Sequence, residues 1–280
     1  MQNVETMKWP LGQVIYLKKN SLVYCPIGKS GCSSYKRLMV RLSDVPLKNW
    51  ILRGDVHQRL DHFNTTLQLR EFGETGLRDV VGGPNLHRFS IVRDPFERLL
   101  SGYWEKLVVN RNRPRNLDHT RPIYAYVYGE DFTDADVIKG VTFAELLDCL
   151  AKTPQDKHDA HFIQQCAYLH TIPYDKVYAL SEPDELMDDL TRILGFTPEV
   201  ETANTSRRGR AETDVEGAGQ LRAEDFDQMD VLPSKRSFLD DTTRDLLGEV
   251  TKDDQHLYDA PTPRDRALRL RSLMEPAPAT

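Results

Sequence analysis

The segment VYCPIGKSGCSSYKRLM, residues 23–39, runs from an apolar stretch through a loop containing Gly-Lys-Ser into a region of helical periodicity. SLVYC (21–25) has the β-branched and aromatic composition of a short buried strand. Beyond the loop, apolar residues recur at the spacing of one helical face: Tyr35, Leu38, Met39 and Leu42. The segment therefore predicts a strand, a loop and a helix in succession.

The same order returns twice along the chain. HRFSIV (87–92) leads through RDP into FERLLSGYWEKLVV, and KVYAL (176–180) leads into PDELMDDLTRIL. Strands that alternate with helices favour an α/β fold with a parallel central sheet flanked by helices on both faces. Ligands of such sheets bind beyond the carboxyl ends of the strands, which is where the first two loops are expected to lie.

Length and charge limit the function classes. The chain has 280 residues and a formal net charge of -6, which argues against a general nucleic-acid binder. We expect one domain over 1–262, with an insertion at about 110–140 and a mobile loop at about 201–235. Residues 263–280 are expected to form a partly disordered tail.

The four cysteines, Cys25, Cys32, Cys149 and Cys166, are scattered without Cys-x-x-Cys spacing, so neither a zinc ribbon nor a dense disulfide framework is expected. The sequence also lacks an apolar run long enough for a transmembrane span and a secretory signal at its first residues. A reduced, cytoplasmic location is the resulting prediction. The oligomeric state stays open.

The loop after the first strand does not fit a Walker A motif. Gly-x-x-x-x-Gly-Lys-[Ser/Thr] ending at Ser30 needs its first glycine at position 23, where the sequence has Val23. A better frame is Lys29-Ser30-Gly31-Cys32-Ser33-Ser34, in which a lysine, a turn glycine and hydroxyl side chains precede or open a helix. Free N–H groups at a helix start make an anion site. An ordinary surface turn with Ser33 as the helix cap is the alternative.

FSIVRDPFERLLSGYWEK (89–106) is the more informative motif. Asp94, Pro95 and Glu97 suit the N-cap, the first helical position and a capping box, so local structure accounts for them. A buried stripe follows: Phe96, Leu99, Leu100, Tyr103 and Leu107. Local structure does not account for Arg93 at the strand end or for Ser101. The planar guanidinium of Arg93 suits a phosphate, and Ser101 can add a hydroxyl.

Together the two loops resemble the donor-binding elements of sulfotransferases that use 3′-phosphoadenosine-5′-phosphosulfate (PAPS). The likeness is greatest to carbohydrate sulfotransferases acting on chondroitin and the HNK-1 epitope, and to their bacterial relatives. It implies a P-loop-like sulfotransferase fold in which residues 29–34 hold the 5′-phosphosulfate, and Arg93 with Ser101 holds the 3′-phosphate. The first loop departs from the family pattern because two residues separate Pro26 from Lys29.

The resemblance further implies transfer of a sulfuryl group to a hydroxyl of a carbohydrate or another acceptor, with no metal expected. Lys29 would balance charge on the leaving phosphate. DKHDAHFIQQC (156–166) is similar to the family's HWxPQ stretch, which makes His161 the first candidate for the base, followed by His62 and His158. A nucleotide kinase and a non-catalytic nucleotide-binding protein are the alternatives.

Two further stretches are candidates for the acceptor side. If IYAYVYG (123–129) were extended, Tyr124, Tyr126 and Tyr128 would line one face, although packing against the core is the commoner fate of tyrosines. NRNRPR (110–115) is an expected exposed basic run that can attract an acidic acceptor through Arg111, Arg113 and Arg115.

Overall fold

The structure, a computed structural model, describes residues 9–169, 172–201 and 211–274. Within these, two compact units are distinguished. The sheet unit contains the described residues of 1–94, 165–204 and 253–280, and the helical unit contains those of 95–164 and 205–252. The stretches expected as an insertion (110–140) and as a mobile loop (201–235) belong wholly or mainly to the helical unit, apart from 202–210, which lie outside the described residues.

The sheet unit is built on a four-stranded sheet of order β1-β2-β3-β4. The strands are β1 Ile15–Leu17, β2 Leu22–Cys25, β3 His87–Val92 and β4 Lys176–Ala179. β2, β3 and β4 run parallel, as the sequence predicted, and β1 pairs antiparallel with β2 at the edge. At three residues, β1 is too short to give a periodic signal.

The helices of both units are numbered in the order in which they occur along the chain. They are α1 Cys32–Leu42, α2 Lys48–Arg53, α3 Val56–His62, α4 Gly73–Gly82, α5 Pro95–Tyr103, α6 Pro114–Tyr128, α7 Asp134–Lys139, α8 Phe143–Lys152, α9 Gln165–Leu169, α10 Pro183–Leu194, α11 Ala223–Asp227, α12 Asp241–Val250, α13 Lys252–Tyr258 and α14 Pro263–Met274. A short two-stranded sheet joins β5 Glu212–Thr213 to β6 Leu232–Pro233 in the helical unit. Within the described residues, no helix is both long enough and apolar enough to cross a bilayer.

The core of the sheet unit lies between the sheet and helices α1 and α10. Tyr35, Leu38 and Met39 of α1, three of the predicted apolar positions, are buried there. Leu186 and Leu190 of α10 join them against side chains of the sheet. Since the apolar face of α1 is packed in this way, the start of the helix is fixed at the carboxyl end of β2.

The helical unit has its own core. The stripe predicted for α5 is confirmed, because Leu99, Leu100 and Tyr103 are buried and Phe96 packs against them partly buried. A π-helical turn, Trp104–Val109, continues α5 and buries Leu107. Phe143 of α8 contacts the ring of Tyr103 edge-on, with ring centroids 5.4 Å apart.

The extended arrangement considered for residues 123–129 is wrong. Pro114 opens helix α6, which continues through Tyr128, so alternate residues do not share a face. Tyr124 and Tyr128, four residues apart, stack with ring centroids 6.4 Å apart, and Tyr124 is buried while Tyr126 is exposed. Core packing, the alternative fate, is the one that Tyr124 takes.

The expectation that residues 110–115 form an exposed basic run is wrong for Arg111. Arg111 is buried, donates to the carbonyl oxygens of Val108 (2.7 Å) and Ile138 (2.9 Å), and forms an ion pair with Asp227. Arg113 and Arg115 are exposed as expected. A buried arginine needs such partners because desolvation of its charge is otherwise costly.

The expected tail also differs in its first part. Residues 263–274 form α14, which packs against β4 and buries Ala267 and Leu270. Burial of these apolar side chains against the sheet favours an ordered helix over a disordered tail. Residues 275–280 lie outside the described residues.

Candidate functional site

The first candidate site lies at the carboxyl end of the parallel strands in the sheet unit. Cys25, the last residue of β2, pairs with Ser90 of β3, so both chains leave the sheet at the same edge. Ser90 Oγ donates to the carbonyl oxygen of Cys25 at 2.8 Å, which ties the two strands where the loops begin. The loop after β2 and Arg93 after β3 are therefore neighbours, as the sequence predicted.

Two residues of the first loop have left-handed backbone. Lys29 has φ +67° and Gly31 has φ +74°. Gly31 is the N-cap of α1, and a Cβ at this position would lie 2.9 Å from Leu180 Cδ1, so both conformation and space favour glycine. The alternative in which Ser33 caps the helix is wrong, because Ser33 lies within the first turn of α1.

Arg93 contacts the loop directly. Its Nη1 donates to the carbonyl oxygen of Lys29 at 3.4 Å. A positively charged group thus lies beside the backbone of the lysine that precedes an 11-residue helix. Positive side chains together with the N–H groups of a helix start favour a bound anion.

A buried glutamine, Gln165, joins the two loops. Its Oε1 accepts from Ser30 Oγ (3.0 Å) and from the backbone N of Arg93 (2.8 Å), and its Nε2 donates to the Arg93 carbonyl oxygen (2.9 Å). Ser30 is fully buried, so its hydroxyl supports the loop from inside rather than facing a ligand. The expectation that Ser30 contacts the donor stays a prediction.

Gln165 is itself held by a buried carboxylate. Asp254 of α13 accepts from the backbone N of Gln165 (2.8 Å) and of Cys166 (3.0 Å), which fixes the start of α9. Neither Gln165 nor Asp254 was predicted from the sequence to have a role. Gln165 lies 72 residues after Arg93, and no local pattern links them. The likeness of 156–166 to the family's PQ stretch was the only signal.

The start of α1 also contacts a histidine that the sequence analysis missed. His57 Nε2 lies 2.7 Å from Ser33 Oγ and 3.9 Å from Cys32 Sγ. Asp55 caps α3 by accepting from the backbone N of His57 at 2.9 Å, and Arg37 of α1 donates to Gly54 O at 3.0 Å. These bonds hold α3 against α1 and so place the imidazole beside the loop.

The thiol of Cys32 is electrostatically unusual. Burial acts to raise its pKa, but the hydrogen bond and charge of His57 and the positive charges of Lys36 and Lys29 outweigh burial and lower the pKa to about 7. Burial instead raises the pKa of the Cys25 thiol to about 12. The local potential at the helix start therefore favours negative charge.

The candidate bases have different surroundings. His62 is exposed at the end of α3. His158 lies with Nε2 2.9 Å from Thr153 Oγ1 and 3.1 Å from its carbonyl oxygen, and burial lowers its pKa. His161 Nδ1 lies 2.5 Å from Asp159 Oδ1, and the other carboxylate oxygen lies 2.8 Å from His119 Nδ1. Only His161, among these three candidates, has a carboxylate partner in the described structure.

His158 and His161 are three residues apart with Asp159 between them, a spacing that by itself does not make a metal site. The structure brings His119, 40 residues away, to Asp159 instead, and the ligand atoms of His119, Asp159 and His161 all lie within 4.8 Å of one another. Both imidazoles meet the carboxylate through Nδ1 at hydrogen-bond distance. We therefore interpret the three as a hydrogen-bonded cluster.

Ser101 lies half-buried on α5, in the helical unit. Arg93, its expected partner, belongs to the sheet unit. The expected shared contact of these two residues with a 3′-phosphate stays a prediction.

A sequence profile of the sulfotransferase family matches residues 12–259. Among curated proteins, the chain is 25% identical to carbohydrate sulfotransferase 10 of Rattus norvegicus, over 65% of this chain and 49% of the relative. It is 23% identical to carbohydrate sulfotransferase 8 of Homo sapiens, over 79% of this chain and 51% of the relative. It is 29% identical to carbohydrate sulfotransferase 12 of Xenopus laevis, over 34% of this chain and 25% of the relative.

The chain thus spans about half or less of the length of these curated relatives. No solved structure gives a significant match.

Proposed function

The chain belongs to the sulfotransferase family, and we propose that it transfers a sulfuryl group from PAPS to a hydroxyl of a carbohydrate. The family match supports the reaction and the donor. The carbohydrate acceptor is supported by the names of the similar proteins, which are carbohydrate sulfotransferases.

One observation carries the proposal for the donor site: Arg93 Nη1 bonds to the Lys29 carbonyl oxygen at the carboxyl edge of the parallel strands. Lys29, Gly31, Cys32, Ser33 and Ser34 are proposed to hold the phosphosulfate at the start of α1. The residues fit an anion, because the local charges stabilise the thiolate of Cys32. Arg93 with Ser101 is proposed for the 3′-phosphate, following the family pattern.

The chemistry assigned to Lys29 follows from the charge that develops in the reaction. As the sulfur–oxygen bond to the 5′-phosphate breaks, negative charge grows on the bridging oxygen. A positioned ammonium group stabilises that charge, and loss of such a donor typically costs about 3 to 4 kcal/mol of transition-state stabilisation. The transferred sulfuryl group carries less charge than a phosphoryl group, so we expect no requirement for magnesium.

The acceptor hydroxyl needs a base that is neutral near pH 7. We propose His161, because Asp159 accepts from its Nδ1 and so leaves Nε2 as the proton-accepting atom. His62 and His158 become weaker candidates: His62 is exposed without a described hydrogen bond, and His158 Nε2 already meets Thr153.

Calorimetric titration tests the donor assignment directly. We expect 3′-phosphoadenosine-5′-phosphate (PAP) to bind without magnesium and more tightly than ATP. Magnesium-dependent ATP binding with no PAP binding would instead indicate a nucleotide kinase. Transfer of labelled sulfate from PAPS to chondroitin and other glycans tests the activity, and PAP binding without transfer to any hydroxyl would indicate a non-catalytic nucleotide-binding protein.

We also propose a cytoplasmic location in a bacterium, which the scattered cysteines and the resemblance to bacterial relatives support. Fractionation of the source cells, with the chain traced by antibody, is the corresponding test. Recovery of the chain outside the cytoplasm would contradict it.

A further inference from the structure

In the helical unit, one carboxylate contacts two imidazoles. Asp159 Oδ1 lies 2.5 Å from His161 Nδ1, and Oδ2 lies 2.8 Å from His119 Nδ1. The two rings meet edge to face, with centroids 5.1 Å apart. Asp159 Oδ1 also accepts from the backbone N of His161 at 2.9 Å, and this hydrogen bond helps to fix the orientation of the carboxylate.

The protonation states follow from these contacts. Burial acts to raise the pKa of Asp159, but hydrogen bonds from His119 and His161 outweigh burial and hold the pKa well below its usual range. An ionised carboxylate only accepts hydrogen bonds. Both imidazoles must therefore carry hydrogen on Nδ1, and in each neutral ring Nε2 is the atom that can take a proton.

The two histidines compete for one negative charge. If both were protonated, two cations 5.1 Å apart would share a single carboxylate. His119 is the more exposed of the two, with 39% of its side chain accessible compared with 24% for His161. The charge of His119 acts to lower the pKa of His161, so a positive charge on His119 opposes a second one on His161.

Further charged and titratable groups lie around the cluster. Burial lowers the pKa of His161, the charges of Lys106 and His119 lower it further, and the contact with Asp159 partly offsets them. Lys157 and His158 line the same small cavity as His119 and Asp159. Lys106 in turn lies 3.4 Å from Glu105, so its charge is partly balanced.

We propose that His119, Asp159 and His161 form one proton-accepting unit, in which Asp159 orients His161 and His119 keeps His161 neutral by competing for the same carboxylate. The inference rests on the proposed function for its role. The acceptor O–H proton passes to His161 Nε2 while the acceptor oxygen forms a bond to sulfur and the sulfur–oxygen bond to the 5′-phosphate breaks. PAP leaves, and the imidazolium later releases its proton to solvent. Asp159 and His119 are positioning residues.

The test is nitrogen NMR of the whole 280-residue chain with ¹⁵N-labelled histidine, recorded without any substrate. We expect Nδ1–H tautomers for neutral His119 and His161. His119→Gln keeps an amide donor for Asp159 but cannot ionise, so the protonation midpoint of His161 should rise by at least half a pH unit. Asp159→Asn should lower the midpoint and abolish the tautomer preference. His256→Gln, at an exposed histidine of α13, should leave His161 unchanged.

Kinetics then connects the unit to the reaction. A base with a raised protonation midpoint is already protonated, and so inactive, at a higher pH. The acid limb of the kcat/KM profile of His119→Gln should therefore move to higher pH by the shift seen in NMR. An unchanged protonation midpoint of His161 in His119→Gln would overturn the proposal, and so would an Nε2–H tautomer of neutral His119 or His161. Stoichiometric binding of zinc by the three side chains, with activity lost to a chelator, would overturn it as well. If the NMR results hold and no acceptor is sulfated, the proposed function fails while the proton-sharing arrangement stands.

Discussion

Arg93 donates a hydrogen bond from Nη1 to the carbonyl oxygen of Lys29, 3.4 Å away. The two residues follow different parallel strands and are 64 positions apart, so the sheet brings them together. Lys29 and Arg93 must stay close together if both are to bind the same anionic donor. Separate predictions follow for Lys29, which is proposed to act at the reacting end of the donor, and for Arg93, which is proposed to hold the non-reacting phosphate.

Lys29→Ala is expected to reduce kcat by about 10²- to 10³-fold with little change in PAP affinity, because its charge is needed most as the bond breaks. Arg93→Ala should weaken PAP binding tenfold or more, since Arg93 is proposed to hold the phosphate that does not react. Lys19→Ala, at an exposed lysine paired with Asp44, is the matched control. Steady-state kinetics and calorimetry distinguish the two effects, and equal losses in both parameters for both variants would contradict the assignment.

Gln165→Leu should destabilise the fold and weaken PAP binding. The substitution leaves Ser30 Oγ and both backbone groups of Arg93 without the amide partner that they have now. Each buried polar group left unpaired costs about 1 to 3 kcal/mol. Gln164→Leu is the neighbouring control, because among the described residues its side chain donates a single hydrogen bond, to Val250 O. Chemical unfolding should show the larger loss for Gln165→Leu, and similar losses in the two variants would count against this role.

The local parts of this site were predictable, and the long-range parts were not. β3 has the predicted bounds, 87–92, because its composition and the following Arg-Asp-Pro mark both ends. Gln165, His57 and His119 were missed because each meets its partner only after the chain has folded back over 72, 24 and 40 residues respectively. Sequence periodicity reports which face of an element is apolar, and it contains no information about which polar side chains of distant elements will meet.

Gly31→Ala should cost more stability than alanine at another left-handed glycine. Gly73 has φ +61°, and a Cβ added there would have no heavy atom within 4 Å, so Gly73→Ala measures the backbone cost alone, about 1 to 2 kcal/mol. At Gly31 the added Cβ also lies 2.9 Å from Leu180 Cδ1. We expect a further loss on chemical denaturation and weaker PAP binding for Gly31→Ala only. Equal unfolding free energies would show that Leu180 moves aside without cost.

The double variant Arg113→Gln/Arg115→Gln should raise the acceptor KM several-fold for an acidic glycan and leave PAP affinity unchanged. Both side chains are exposed, and exposed positive charge speeds encounter with an anionic partner in a manner that salt screens. Arg111 is left intact because its buried contacts stabilise the fold. Arg78→Gln/Arg264→Gln, at exposed arginines of the sheet unit, is the control. An acceptor KM that is unchanged at low salt would rule out this recruitment.

Cys32 should be the first thiol to react with iodoacetamide. Its pKa of about 7 gives a substantial thiolate fraction at neutral pH, whereas burial raises the pKa of Cys25, Cys149 and Cys166. The alkylation rate should rise with pH, reach half its plateau near pH 7, and fall when PAP occupies the helix start. His57→Gln should move the midpoint to higher pH, because it removes the hydrogen bond and charge that favour the thiolate. Mass spectrometry of the labelled peptides measures each outcome. Labelling that begins at another cysteine would contradict the lowered pKa of Cys32. Labelling of Cys32 that PAP does not slow would contradict donor binding at the start of α1.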